Sequence, residues 1–210
     1  MLTGRQIERY SRQIITDGFG GAAQERLLAS RILISGDMGD IEPILPYLVG
    51  AGIGHIALDF VNRSASINDL RARFTDLNPD VQLETVDAPS ESDLMLGFVW
   101  DRASGARIRG LSKHCRSLIC VDDTARIVII PVSPPCLECA DIALFDQAGE
   151  SDVSRNDVAQ NVVAMLATIE AIKLLAGVAR AEARVIEFSS CTTTSQPLHR
   201  RPSTSCGCIG

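Results

Sequence analysis

Apolar positions in this chain gather into short runs, divided by glycine turns and by stretches of helical spacing. Arg31-Ile32-Leu33-Ile34-Ser35 is an apolar, β-branched run closed by Gly36. Such a run predicts a strand buried on both faces. From Ile41 to Val49 the apolar residues Ile41, Ile44, Leu45, Leu48 and Val49 recur at helical spacing, and Gly50, Gly52 and Gly54 end the helix. His55-Ile56-Ala57-Leu58-Asp59 is a second strand that ends on a carboxylate. Strand, glycine turn, helix and acid-tipped strand follow one another within about thirty residues, which is the pattern of a βαβ unit.

The same reading continues downstream. Residues 7–15 and 24–28 form short helices around a glycine loop, and with residues 1–29 they make an N-terminal helical arm with Arg9 and Arg12 on a solvated face. Ile67, Leu70, Phe74 and Leu77 mark a helix, and Val81 to Val86 alternates as a half-buried strand. Residues 93–101 read as a strand, 107–115 as a helix, and 117–121 and 126–132 as further strands. Asp157 to Ala176 carries the broadest apolar face and is capped by Gly177; Glu170 and Lys173 on it form an i,i+3 surface pair. Arg184 to Phe188 is a late strand, and residues 192–205 are a Ser/Thr/Pro/Arg loop. The fold class that follows is α/β: a Rossmann-like βαβ start, a mostly parallel central sheet with helices on both faces, and antiparallel strands at the C-terminus. One domain is expected over 1–210, with the Rossmann-like part at 30–132 and a cysteine-pair and C-terminal sheet part at 133–210.

A Rossmann-like unit carries its ligand chemistry in the first glycine turn and in the acid after the second strand. Here the turn is Gly36-Asp37-Met38-Gly39-Asp40. Gly36 and Gly39 are the candidate backbone positions for a bound nucleotide, and Asp59 the candidate ribose acceptor. Met38 brings a bulky side chain to the turn, and Asp37 and Asp40 set two negative charges beside any phosphate. Asp40 also suits a helix start, where the dipole favours an acid.

Composition narrows the class. The chain has 210 residues, 46% of them hydrophobic but only 4% aromatic, so the core is aliphatic. A net charge of −6 argues against nucleic acid as the main partner. No apolar run is expected to cross a membrane, the polar start MLTGRQIERYSRQ has no secretory character, and a cytoplasmic location is expected. Seven cysteines then read as reduced thiols or a metal site rather than as a disulfide frame. Cys115 and Cys120 sit in apolar surroundings, and none of His55, His114 and His199 belongs to a motif.

The wording of several stretches says more. R-Y-S-R-Q-I-I, then G-x-x-x-Q-E-R-L-L-x-S-R-I-L-I, the glycine turn, and L-x-x-A-G-I-G-x-I-x-L-D-F resemble the opening of the ThiF/MoeB/HesA family. The long helix matches that family's A-x-E-A-I-K-x-L-x-G through Glu170, Ala171, Ile172, Lys173 and Gly177. These are bacterial members of the ubiquitin-activating-enzyme superfamily, which adenylate the C-terminal glycine of a small ubiquitin-like sulfur carrier with ATP and magnesium.

The resemblance implies roles residue by residue. Arg12 of the R-Y-x-R-Q stretch would reach across a dimer interface to the partner's ATP phosphates, a task suited to a permanently charged, bidentate guanidinium. The other reading of Arg12 is a solvent-facing helix residue. The family's second strand-end acid is replaced by Val61, and its Asn-x-x-Arg-Gln segment is reduced to Asn62 and Arg63. Its magnesium aspartate falls on Trp100, with Asp101 the substitute after a one-residue shift. Cys136 and Cys139, in a proline-led C-x-x-C, and Cys206 and Cys208, in a C-x-C, stand where the family holds a structural zinc. Four thiolates suit that ion; the other reading is two free thiol pairs.

Three readings of function follow. The first is a degenerate, adenylation-defective member acting as a non-catalytic subunit, in a homodimer or a heterodimer with an active homologue, beside a ubiquitin-like sulfur carrier. The second is an active adenylyltransferase whose ATP and Mg site is rebuilt from Asp59, Asn62, Arg63 and Asp101. The third is a peptide-recognition module in the biosynthesis of a modified natural product.

Overall fold

The computed structural model describes residues 1–61, 67–86, 91–130, 157–179, 182–189 and 192–198. Asn62, Arg63 and the four candidate zinc cysteines Cys136, Cys139, Cys206 and Cys208 lie outside them.

The chain opens with α1 (Gly4–Arg9), α2 (Ser11–Ile14) and α3 (Gly20–Ala29), then enters β1 (Arg31–Gly36). After the glycine turn come α4 (Met38–Ile41), α5 (Leu45–Ala51), β2 (His55–Phe60), α6 (Ile67–Leu77) and β3 (Gln82–Thr85). The second half runs β4 (Leu94–Val99), α7 (Arg102–Ser112), β5 (Leu118–Asp122), β6 (Arg126–Ile130), α8 (Asp157–Ala176), β7 (Arg184–Ser189) and β8 (Thr192–Pro197).

The strands form one sheet in the order β3-β2-β1-β4-β5-β6-β7-β8. The pairs from β3 through β5 are parallel, and β6, β7 and β8 continue antiparallel. This is the expected α/β architecture. The order reverses between β1 and β4, and the crossovers change faces there. Ile32, Ile34, Ile56, Leu58, Leu96 and Phe98 meet α4, α5, α6 and α8 on one face. Leu33, Ala57, Met95 and Val99 meet Ile108 and Leu111 of α7 on the other. Alternation along each buried strand thus feeds two apolar layers.

Several elements differ from the sequence expectation. The single helix over Ile41 to Val49 is two pieces, because Pro43 has no N–H and its ring clashes with the preceding turn. The helix expected at 107–115 starts earlier, at Arg102, with Asp101 as its N-cap. The loop expected over 192–205 contains β8, six exposed residues paired in register from Arg184↔Pro197 to Ser189↔Thr192. Its run of threonines favours strand without any apolar alternation to announce it. Contrary to the expectation that no run could cross a membrane, Val158–Ala176 is long and apolar enough by length and composition, with mean hydropathy 1.5. Here it lies on the sheet, with Val163, Ala164, Ala167, Ala171 and Ala176 in the core.

Gly177 closes that helix at φ +68°, and a Cβ there would lie 2.9 Å from Nε of Arg26, which donates to the Ala176 carbonyl at 2.7 Å. Glu170 is no surface residue either: 13% exposed, it pairs with Lys173 and also with Arg184 of β7.

The N-terminal arm is docked rather than free. Tyr10 is 1% exposed, Asn78 donates to its hydroxyl at 2.9 Å, and that hydroxyl donates to Asp80 at 3.3 Å. Burial raises its pKa above the usual phenol value. Arg9, expected on a solvated face, pairs with Asp80 at 3.4 Å and is 33% exposed.

Candidate functional site

In an open α/β sheet the ligand crevice lies beyond the carboxyl ends of the strands, where the strand order reverses. In this chain that point is bounded by the turn after β1 and the end of β4. A cavity of about 320 Å³ sits there, between the turn residues Gly39, Asp40 and Pro43, the aromatics Phe98 and Trp100, and Gln160, Asn161 and Ala164 of α8.

The turn is closely packed. A Cβ on Gly36 would lie 2.8 Å from the Phe98 ring, so the glycine leaves room for that ring. Gly39, by contrast, is exposed, and a Cβ on it would meet nothing within 4 Å. Phe98 stacks on Trp100 with ring centroids 5.9 Å apart and planes 28° from parallel. The Trp100 indole donates through Nε1 to Oδ2 of Asp40 at 2.7 Å. The same oxygen accepts the Asp37 backbone N–H at 3.1 Å, as the reciprocal half of a capping box on α4. A carboxylate therefore holds the place at the helix start where a phosphate would seek free N–H groups. α4 itself has four residues, which leaves little aligned dipole.

The other sequence-derived candidates lie elsewhere. Asp59 is paired with Ser35 across β1 and β2, on the face of the sheet covered by α7. Its side chain is 4% exposed. It accepts Ser35 Oγ at 2.7 Å and Arg107 Nε at 2.7 Å, and a second guanidinium nitrogen of Arg107 completes a bidentate pair. The pairing raises the Arg107 pKa above its ordinary value. A Cβ on Gly36 would face the opposite layer, toward Phe98, away from the Asp59 carboxylate.

Asp101 is exposed and serves α7, accepting the Ser104 N–H at 2.7 Å and its hydroxyl at 2.8 Å. Trp100, at the metal position implied by the resemblance, anchors the same cap through its own N–H to Ser104 Oγ at 3.0 Å. Arg12 is exposed on α2, and its side chain makes no hydrogen bond or ion pair with another described residue. Among the described residues no group of three or more His, Cys, Asp or Glu is placed to hold a metal.

Sequence reading missed two partnerships. An acid at the end of a doubly buried strand demands a cation, but the arginines of α7 at 102, 107 and 109 do not reveal by spacing which one supplies it. The Trp100–Asp40 bond joins residues 60 apart and has no local signature.

The sheet order, the switch-point crevice and the antiparallel extension define a Rossmann-like α/β protein. No protein-family model matches the chain. It is 30% identical over 212 residues to the vegetative protein HesA of Trichormus variabilis, covering 84% of this chain and 78% of that one. It is 28% identical over 249 residues to the Escherichia coli sulfur carrier protein ThiS adenylyltransferase, covering 100% of this chain and 97% of that one. Among solved structures, E. coli MccB with ATP is similar at TM-score 0.71 and 17% identity, covering 96% of this chain and 73% of that one. MccB in complex with N-formylated MccA is similar at TM-score 0.63 and 17% identity, covering 90% and 70%. The chain belongs to the ThiF/MoeB/HesA family.

Proposed function

We propose that this protein is a non-catalytic family member: a subunit or binding partner in a ubiquitin-like or sulfur-carrier system that no longer adenylates. The observation that carries the reading is the Asp40 carboxylate, fixed by Trp100 Nε1 at 2.7 Å at the start of the helix after β1. A triphosphate there would meet a negative charge, a closed ring above Gly36 and no second turn glycine under steric need. Phosphoryl chemistry relies on positioned charge and metal, so a turn of this kind removes much of what catalysis needs. Asp59, tied to Arg107 and Ser35, serves the fold in this reading. In this reading ATP and magnesium do not fit the described residues of the turn.

Arg12 retains the exposure that a role at a neighbouring subunit's site requires, whether the partner is a second copy or an active homologue. Zinc held by Cys136, Cys139, Cys206 and Cys208 belongs to the same proposal, as a clip joining two distant stretches of chain.

A second reading, an active adenylyltransferase using Asp59, Asn62, Arg63 and Asp101, is favoured by relatives that are themselves named adenylyltransferases. Recognition of a precursor peptide is a third, motivated by MccB, solved in complex with N-formylated MccA. ATP–pyrophosphate exchange with a ubiquitin-like carrier ending in Gly-Gly separates the readings. The proposal expects no exchange above background for the chain alone. Carrier-dependent exchange lost in Asp101→Ala would establish the second reading instead.

A further inference from the structure

We propose that the outer face of α7, together with the cleft at its C-terminal end, docks an acidic polypeptide segment of a partner protein. Its occupancy is independent of whether the switch-point crevice takes a nucleotide.

Charge is spread unevenly along the chain. Residues 102–116 carry Arg102, Arg107, Arg109, Lys113 and Arg116 without one carboxylate, in a protein whose net charge is −6. Arg107 is committed to Asp59, and Ile108 and Leu111 pack α7 against the sheet. Arg102, Arg109 and Lys113, spaced by seven and four residues, share the opposite, exposed face. The helix dipole favours cations in the last turn, but it opposes Arg102 in the first. Like charges four residues apart, as at Arg109 and Lys113, weaken a helix, and a merely solvated face ordinarily mixes both signs. Among the described residues the Arg102 and Lys113 side chains have no hydrogen-bond or ion-pair partner.

At Lys113 this stripe runs into a cleft of about 490 Å³ beside the first residues of β1, β4 and β5, at the opposite end of the sheet from the switch-point crevice. His114 and Arg116 extend the positive border. Arg116, 77% exposed, meets Asp93 only at 3.9 Å, a pair of little strength in water. The cleft also holds acids, Glu91 and Asp93, and Asp93 already accepts the Arg31 backbone N–H at 2.9 Å.

Those acids select among polyanions. A phosphate backbone or an anionic membrane brings negative charge with few donors, and both are repelled by Glu91 and Asp93. A polypeptide brings carboxylates that pair with the arginines and the lysine, and backbone N–H groups that the acids can accept. From Arg102 to Lys113 the face is about 16 Å long, which about five extended residues span before the chain enters the cleft.

The intact protein is titrated with fluorescein-labelled hexaglutamate at about 0.15 M salt, where loose surface attraction is screened, and followed by anisotropy. Labelled hexaglutamine, single-stranded decathymidylate, and vesicles of equal parts phosphatidylcholine and phosphatidylserine are compared. Saturable binding of hexaglutamate and none of hexaglutamine is expected. Affinity should fall about tenfold in Arg102→Gln/Lys113→Gln and hold in Arg5→Gln/Arg73→Gln, which removes the same charge elsewhere. Absence of hexaglutamate binding, or a loss no larger in the first double variant than in the second, overturns the docking face. Tighter binding of decathymidylate or of the vesicles overturns the polypeptide as its occupant.

Discussion

A buried carboxylate must be matched by a cation or hydrogen bonds, and in this chain that demand decides what Asp59 does. Removing one partner of such a pair leaves the other charge uncompensated, which costs about 3–5 kcal/mol when both are buried. The Arg107 side chain is 45% exposed, so solvent softens the loss. Arg107→Met is expected to lower stability by about 2 kcal/mol, read from the urea midpoint. A change within about 0.5 kcal/mol would mean that Asp59 is solvated and open to a ribose, and would contradict the structural role proposed for it.

The thiols provide a second residue-scale test. Burial pushes the Cys115 thiol up to about 11, and burial with the Asp122 charge pushes Cys120 higher still. A thiol of raised pKa holds its proton more firmly in the fold than in the unfolded chain. Its contribution to stability is therefore full below about pH 9 and is lost as pH climbs through about 11. At pH 8 both should resist iodoacetamide in the native protein and react after denaturation, as peptide mass mapping would show; rapid native labelling of Cys120 would contradict its burial. The core character of Cys120 was legible in the sequence from its apolar neighbours. Cys115, expected to be a core thiol too, is only half-buried and borders a polar cleft with Lys113, His114 and Arg116. The Asp59–Arg107 partnership was not legible, because it depends on which face of the sheet α7 covers.

At the scale of elements, the A-G-I-G stretch shows how much of a glycine pattern is conformational need. Gly52 has φ +84°, and a Cβ on it would lie 2.7 Å from the Tyr10 ring. Gly50, within α5, would meet nothing within 4 Å. Gly52→Ala should therefore cost about 2 kcal/mol or more, through left-handed strain and displacement of the N-terminal arm. Gly50→Ala should be neutral or stabilising by up to about 1 kcal/mol, since alanine is the better helix former. Thermal unfolding of the two variants checks the contrast; equal effects would mean that the arm is not held at Gly52. Apolar periodicity revealed α6 and α8 to their ends, because each buries one face over many residues. It failed at Pro43, where backbone chemistry overrides side-chain spacing, and at β8, where both faces are exposed and no pattern is imposed.

For the whole molecule, the order β3-β2-β1-β4-β5 could be anticipated from one βαβ unit and the family wording, since crossovers of fixed hand leave few alternatives. What the sequence could not supply was the contact across the switch point between Trp100 and Asp40. If the four cysteines clip the chain as proposed, protein purified without chelator should carry about one zinc per chain, and its removal should lower the thermal midpoint. Metal-free protein with an unchanged midpoint would leave the cysteines as free thiol pairs.

A crevice whose helix start is occupied by the Asp40 carboxylate should no longer accept ATP, and calorimetric titration of zinc-assayed protein with ATP and magnesium decides this most directly. No detectable heat at millimolar ATP is expected. Micromolar binding that disappears in Asp59→Ala would contradict the proposed loss of the nucleotide site, and would place the chain with the adenylating members of its family.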